Sequence, residues 1–299
     1  MACHAPTPAM QLNFFDHGRD LMLRNDVLAA LERREPAAAR AAWRAFGDEY
    51  PQDATVAPLA LLVDALEDNE EAGFPSHDRL RAQRLTLIEH IEPAALRLFG
   101  DVQGAVWLAP LWRRTAQRAA RLTFRADRAE DHAAPLWLHA GDPASSAAAV
   151  AGIESWRRIP VPLAWMAEAR QRSDGLDSAW PLLAELAWLA PARFDELTRR
   201  LTDPRLAGLR RHFDAGFEGD GSVADLAWLP AWALVGAPVL APRLREAQPV
   251  HGMPAELAMR LLLELLNLER HGRHAELVQR RKALRDLNAS LYGAYMATR

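Results

Sequence analysis

The chain has 299 residues, half of them apolar and a quarter charged, with a formal net charge of −3. This composition excludes a disordered chain, and so small a net charge excludes a global electrostatic pull toward nucleic acid or acidic membranes. Its one cysteine, Cys3, excludes an intrachain disulfide and any cysteine-rich zinc site.

Of the 36 basic residues only Lys282 is a lysine, so 35 are arginine. With abundant Ala, Leu and Pro, this is the usage expected of a GC-rich bacterial coding sequence, and arginine number by itself carries little functional meaning. The start, MACHAPTPAMQLNFF, lacks a basic segment followed by a continuous apolar one. Apolar runs such as AMRLLLELLNL are interrupted by charge well short of the roughly 18 to 20 residues of a membrane span. A cytoplasmic protein without membrane association is expected.

Isoleucine occurs only at 88, 91, 153 and 159, and no run alternates β-branched residues. Ala, Leu, Arg and Glu dominate, and these lose little rotamer freedom in a helix. Pro and Gly recur at intervals of one to two helix lengths, and several prolines follow a capping residue, as in Asp142-Pro143 and Asp203-Pro204. The expected fold class is all-α, with about fourteen helices stacked as an α-α superhelix of helical hairpins. Residues 1–15 are expected as an N-terminal segment and 16–299 as a single α-solenoid, with a candidate sub-boundary at 216–222.

In chain order, FFDHGRD (14–20) gathers Asp16, His17, Arg19 and Asp20. A histidine beside two carboxylates suits a general base, but neighbouring residues on a helix point in different directions. A helix start capped by Asp16 is the preferred reading. AAARAAWRAFGDEYP then places Ala39, Trp43, Phe46 and Pro51 at offsets that recur in Ala179, Leu183, Leu186 and Pro191 of LDSAWPLLAELAWLAP.

RRTAQRAARLTFRADR (113–128) sets Arg114, Arg118, Arg121, Arg125 and Arg128 at spacings of 4, 3, 4 and 3. On one helix they fall within about 40° of a common line, opposite Trp112, Ala116, Ala119 and Thr123. Residues 105–128 therefore read as one amphipathic helix with a one-signed face. Adjacent like charges are unfavourable unless offset. The first explanation is pairing with acids, from DALEDNEEAG (Asp64, Glu67, Asp68, Glu70, Glu71), from Glu89, or from the local Asp127, Glu130 and Asp131. The others are a solvated face, or a surface for an anionic partner suited to arginine's planar fork. Only Phe124 lies near for base stacking, which argues against nucleic acid.

Further along, His132, His139 and Asp142, and later His271 and His274, have metal-ligand side chains without a metal-site spacing. No metal and no cofactor is expected. GFEGDGS (216–222) is glycine-rich but lacks the Gly-Lys-Ser/Thr of a phosphate loop, and reads as a flexible connector. Trp165, Trp188, Trp228 and Trp232 lie in Leu/Ala surroundings and read mainly as core filling. RLLLELLNLERHGRHAEL carries Leu261, Leu265, Leu268, Gly272 and His274, which fit the first helix and turn of the earlier frame. LRDLNASLYGAYM (Leu284, Leu287, Leu291, Tyr292, Tyr295) suits a terminal cap or a self-association surface.

The two full frames lie 140 residues apart, close to four periods of about 34 to 35. Leu23 and Val27 precede one as Leu163 and Ala167 precede the other. The pattern resembles the tetratricopeptide repeat, a helix-turn-helix unit with small, large and Pro positions at fixed offsets. The resemblance covers about 20–52, 160–192 and 258–292. It departs from the family where Leu23 and Leu163 stand in place of the usual Trp, and 75–135 and 195–250 do not fit. It implies a non-catalytic scaffold that holds a protein or peptide, the arginines favouring an acidic one. The alternatives are an all-α enzyme using acids set in apolar runs, Glu168, Glu185 and Asp225, or a helical repeat that binds RNA or another anionic ligand.

Overall fold

The structure, a computed structural model, describes the backbone of residues 8–250 and 252–299 and the side chains from Gly18 onward, Val250 and Gly252 flanking the gap. Among the described residues the regular structure is helical, with no strand. The all-α expectation holds. Contacts divide the chain into two compact units, Met1–Gly141 and Asp142–Arg299, and the 216–222 segment lies inside the second.

The first unit opens with α1 (Pro8–Glu32), which pairs with α2 (Pro36–Glu49) across a three-residue turn. Asp16 is therefore inside a helix and not at its start, a correction to the cap expected from FFDHGRD; the side chains of Asp16 and His17 lie outside those described. Proline at the first position of α2 is preorganised for a helix and lacks the N–H that would have been orphaned there. Ala39 is fully buried, and its small side chain lets α1 approach with Val27 and Leu31, while Phe46 fills the core two turns on. α2 then packs on α3 (Val56–Glu67), and α3 on α5 (Glu92–Ala119).

Between α4 (His77–Thr86) and α5 the chain continues helically through a π-turn at Leu87–Ile91. Pro93 stands just inside α5 without breaking the helix. Its missing N–H and its ring conflict with regular α-helical bonding just upstream, and the wider turn absorbs both. The true break comes at Gly100, whose φ of 77° is open to glycine at little steric cost. The two halves of α5 then lie so close that a Cβ on Gly104 would sit 3.0 Å from the Ala95 carbonyl oxygen. α6 (Ala133–His139) completes the unit against α5.

The second unit runs through α7 (Pro143–Ala151), α8 (Pro160–Asp174), α9 (Leu176–Leu189), α10 (Pro191–Arg200), α11 (Pro204–Gly216), α12 (Leu229–Gly236) and α13 (Ala241–Leu244). It ends with α14 (Pro254–His271), α15 (His274–Leu287) and α16 (Ala289–Ala297). The caps read from the sequence form. Asp142 accepts from the Ser145 N–H, and Asp203 from those of Arg205 and Leu206. α8 and α9 pair across Gly175, and α14 and α15 across Gly272. α9 is the core helix: Leu176 and every residue from Ala179 to Trp188 are buried. It packs on α8, α10, α12 and α13, which explains why it is apolar nearly all round.

No single helix among the described residues is long and apolar enough to cross a membrane. The segments Val223–Gly236 and Pro238–Leu244 meet at 108°, which leaves Val239 projecting at the corner, 80 % exposed.

Candidate functional site

The five arginines do not form one stripe. α5 ends at Ala119, where the Ala120 N–H tightens onto the Gln117 carbonyl; the Arg118 carbonyl, which in a continued helix would accept from the Leu122 N–H, accepts instead from the Phe74 N–H at 3.1 Å. Arg121 falls in the turn beyond, Arg125 before a 3-10 turn at Ala126–Arg128, and Arg128 at its end. This corrects the single helix expected over 105–128.

Acids of the chain itself meet four of the five. Arg118 is buried, donates to the Ala72 carbonyl, pairs with Glu70 at 2.9 Å and lies over the Phe74 ring at 4.2 Å. Arg114 donates to the Ala65 carbonyl and approaches Asp68 at 3.6 Å. Arg125 pairs with Asp127 at 2.9 Å, and Arg128 with Asp78. Arg121 is exposed. Asp68 and Glu70 of DALEDNEEAG thus supply part of the internal pairing that the sequence offered first.

The repeat-frame residues sit where packing needs them. Ala39, Phe46, Ala179, Leu183 and Leu186 are fully buried, Trp43 is half-buried and donates to the Val56 carbonyl at 3.0 Å, and Pro51 and Pro191 follow helix ends. Trp165, Trp188 and Trp232 are buried as expected, and Trp228 half-buried. Leu284, Leu291 and Tyr295 are buried, so the terminal segment spends these side chains on its own unit.

Among the described residues no group of three or more His, Cys, Asp or Glu is placed to hold a metal. His132 is instead a cap, accepting from the Ala134 N–H through Nδ1, and burial followed by the nearby His77 lowers its pKa to about 4. His139 stacks on Trp112 with ring centroids 4.6 Å apart. The 216–222 connector is organised by carboxylates: Asp220 accepts from the Ser222 N–H and Asp225 from the Gly221 N–H.

Two of the three acids singled out in apolar runs are buried, and arginines neutralise both. Glu185, 1 % exposed, accepts two hydrogen bonds from Arg157 at 2.6 and 2.5 Å and a third from the Gln248 N–H. Glu168 is held by Arg172 at 2.5 Å and Arg200 at 3.1 Å. Asp195 sits between Arg199 and Arg210 at 2.6 and 2.9 Å, on a polar concavity of about 540 Å³ that Asp225 also lines. Bidentate, charge-assisted pairs of this kind fix the carboxylate's geometry and use its lone pairs.

A second concavity is of a different kind. Leu176 and Trp180 of α9, Gly208 and Leu209 of α11, and Ala237, Val239, Leu240 and Pro242 line an open, mainly apolar groove of about 520 Å³. Its rim carries Asp177 and Arg205, paired at 3.0 Å between α9 and α11, and Arg243, paired with Glu246 at 3.3 Å. Gly208 faces space: a Cβ there would have only the Arg211 guanidinium within reach, at 3.9 Å. The sequence reading passed over this site because its walls come from three separated segments. The available signal was a glycine inside a helical pattern, in PRLAGLRRHF. Comparison of the chain with protein-family models, with curated proteins and with solved structures found no match.

Proposed function

We propose that this chain is a non-catalytic scaffold of tetratricopeptide-like helical hairpins whose second unit receives a peptide segment of a partner protein. The open apolar groove between α9 and α11 carries the reading. Its volume lies within the range of about 300 to 1,000 Å³ typical of ligand sites, and its apolar walls meet a few polar groups at one rim. Large apolar side chains that enter such a depression lose contact with water while the flanking backbone stays outside.

Two further observations support it. The hairpins α1–α2, α8–α9 and α14–α15 fall on the three stretches that carry the repeat-like pattern, and stacked hairpins are a common framework for peptide surfaces. The buried acids most suited to catalysis, Glu168 and Glu185, are held by guanidiniums, so neither presents a free carboxylate as proton donor or acceptor.

The test is selection of random 12-residue peptides on the full chain, followed by calorimetry with wild type and Gly208→Leu. Leucine at 208 is compatible with a helix and fills the groove. Enriched peptides that lose about tenfold or more in affinity with Gly208→Leu support the scaffold, a change of about 1.4 kcal/mol. Failure to enrich any peptide, or equal affinity for both proteins, overturns it.

A further inference from the structure

The lining of the groove carries two arginines to one carboxylate, and this bears on the partner's chemistry. Three guanidiniums stand around the opening. Arg205 and Arg243 line it, and Arg211 reaches to within 3.9 Å of the space that a Gly208 side chain would enter. Asp177 and Glu246 pair with Arg205 and Arg243 at the rim, the α11 cap Asp203 also lies 3.8 Å from the Arg205 guanidinium, and Arg211 has no carboxylate within ion-pair distance among the described residues. Both rim pairs are well exposed, each side chain more than half accessible. Exposed pairs of this kind contribute only about 0 to 1 kcal/mol, so their arginines can turn to an incoming carboxylate at little cost.

The apolar part is equally specific. Trp180 forms the floor, nearly inaccessible to water, while Val239 stands at the lip, 80 % exposed at a bend of the backbone. A segment seated in the depression would cover Val239 as well, since Val239 lines it. The depression suits one large aliphatic or aromatic side chain, and the arginines above it suit carboxylates on either side of that anchor.

From this geometry we infer that the groove takes an internal, acidic peptide segment, with one large apolar side chain seated on Trp180 and acidic residues beside it against Arg205, Arg211 and Arg243. The inference rests on the peptide-scaffold reading and narrows it to one partner chemistry.

The experiment uses the full chain and a set of acetylated, amidated 11-residue peptides, so that no terminal carboxylate contributes. The central residue is Leu, Phe or Ser, and the flanking positions are Glu, Gln or Lys. Binding is read by fluorescence anisotropy at low and high salt. The Glu-flanked Leu and Phe peptides should bind about tenfold tighter than their Gln counterparts, the margin shrinking with salt. The Ser and Lys sets should be weakest. Gly208→Leu should remove binding, Val239→Glu should weaken the Glu set most, and Arg205→Gln/Arg243→Gln should narrow the Glu-over-Gln margin.

Equal binding of Glu- and Gln-flanked peptides, or preference for Lys, overturns the acidic assignment and leaves the scaffold reading standing. Binding unaffected by both Gly208→Leu and Val239→Glu removes the groove as the site. No binding by any peptide overturns both readings. Sedimentation with phosphatidylglycerol vesicles that Gly208→Leu abolishes would assign the groove to lipid and also overturn the inference.

Discussion

Acidification should destabilise the chain through His132. The ring is 7 % exposed, its Nδ1 accepts from the Ala134 N–H at the start of α6, and Phe124 meets it edge-on. Protonation would set a new N–H against that backbone N–H and place a charge beside His77 in a poorly solvated pocket, so the folded chain resists it. The folded pKa of about 4 lies below the ordinary 6.5, and the unfolded chain therefore binds the proton first. Stability is full above pH 6.5 and is lost as pH falls through the window between the two values. Linkage over that window gives a loss of about 2 kcal/mol between pH 7.5 and 5, and at most about 3 kcal/mol at lower pH. The assay is urea unfolding at both pH values for wild type and His132→Asn, which keeps a capping oxygen and does not titrate. The variant should lose about 2 kcal/mol less than wild type between the two pH values. Equal losses in the two proteins would refute the assignment of this proton to His132.

Other substitutions probe the packing and the buried charge. Arg157→Ala leaves Glu185 buried without its cation and should cost about 3 to 5 kcal/mol in urea unfolding, whereas the Arg157→Met/Glu185→Leu pair should cost far less. Trp107→Phe removes the hydrogen bond to the Leu31 carbonyl, which keeps the Arg34 N–H as a donor, and should cost about 1 kcal/mol. Trp188→Phe should be milder, since the Trp188 Nε1 is buried with no partner among the described residues and phenylalanine removes that unmet donor; thermal melts of the two variants compare them directly. Gly104→Ala should destabilise the first unit by about 1 to 3 kcal/mol although alanine favours helices, because the new methyl meets backbone. A melting temperature equal to wild type would show that the two halves of α5 can separate at no cost.

Local rules made the framework legible. The hairpins at 20–52, 160–192 and 258–292 were visible because small and large residues alternate at helical spacing and Pro or Gly marks the ends. Asp142 and Asp203 were readable as caps because a cap acts within three residues. Three features that went unread have a common cause, since each depends on a group distant in sequence. The pattern of 105–128 continues past Ala119, but the loop at 72–74 holds both the Arg118 carbonyl and its guanidinium, and the helix ends there. Glu185 stood out as an acid in an apolar run, but its neutralising partner, Arg157, lies 28 residues earlier. The groove was invisible for the same reason: Trp180, Gly208 and Val239 share no local pattern.

The first unit has no lysine at all, and the second carries one, Lys282, exposed on α15. Amine-directed reagents therefore have a single side-chain target, besides the chain's own amino terminus. A dye, a biotin or a crosslinker attached there reports from one known address, and none of the groove's arginines is consumed by the coupling chemistry. The same scarcity leaves little purchase for any enzyme that acetylates or conjugates lysine, and makes whatever modification does occur attributable to α15.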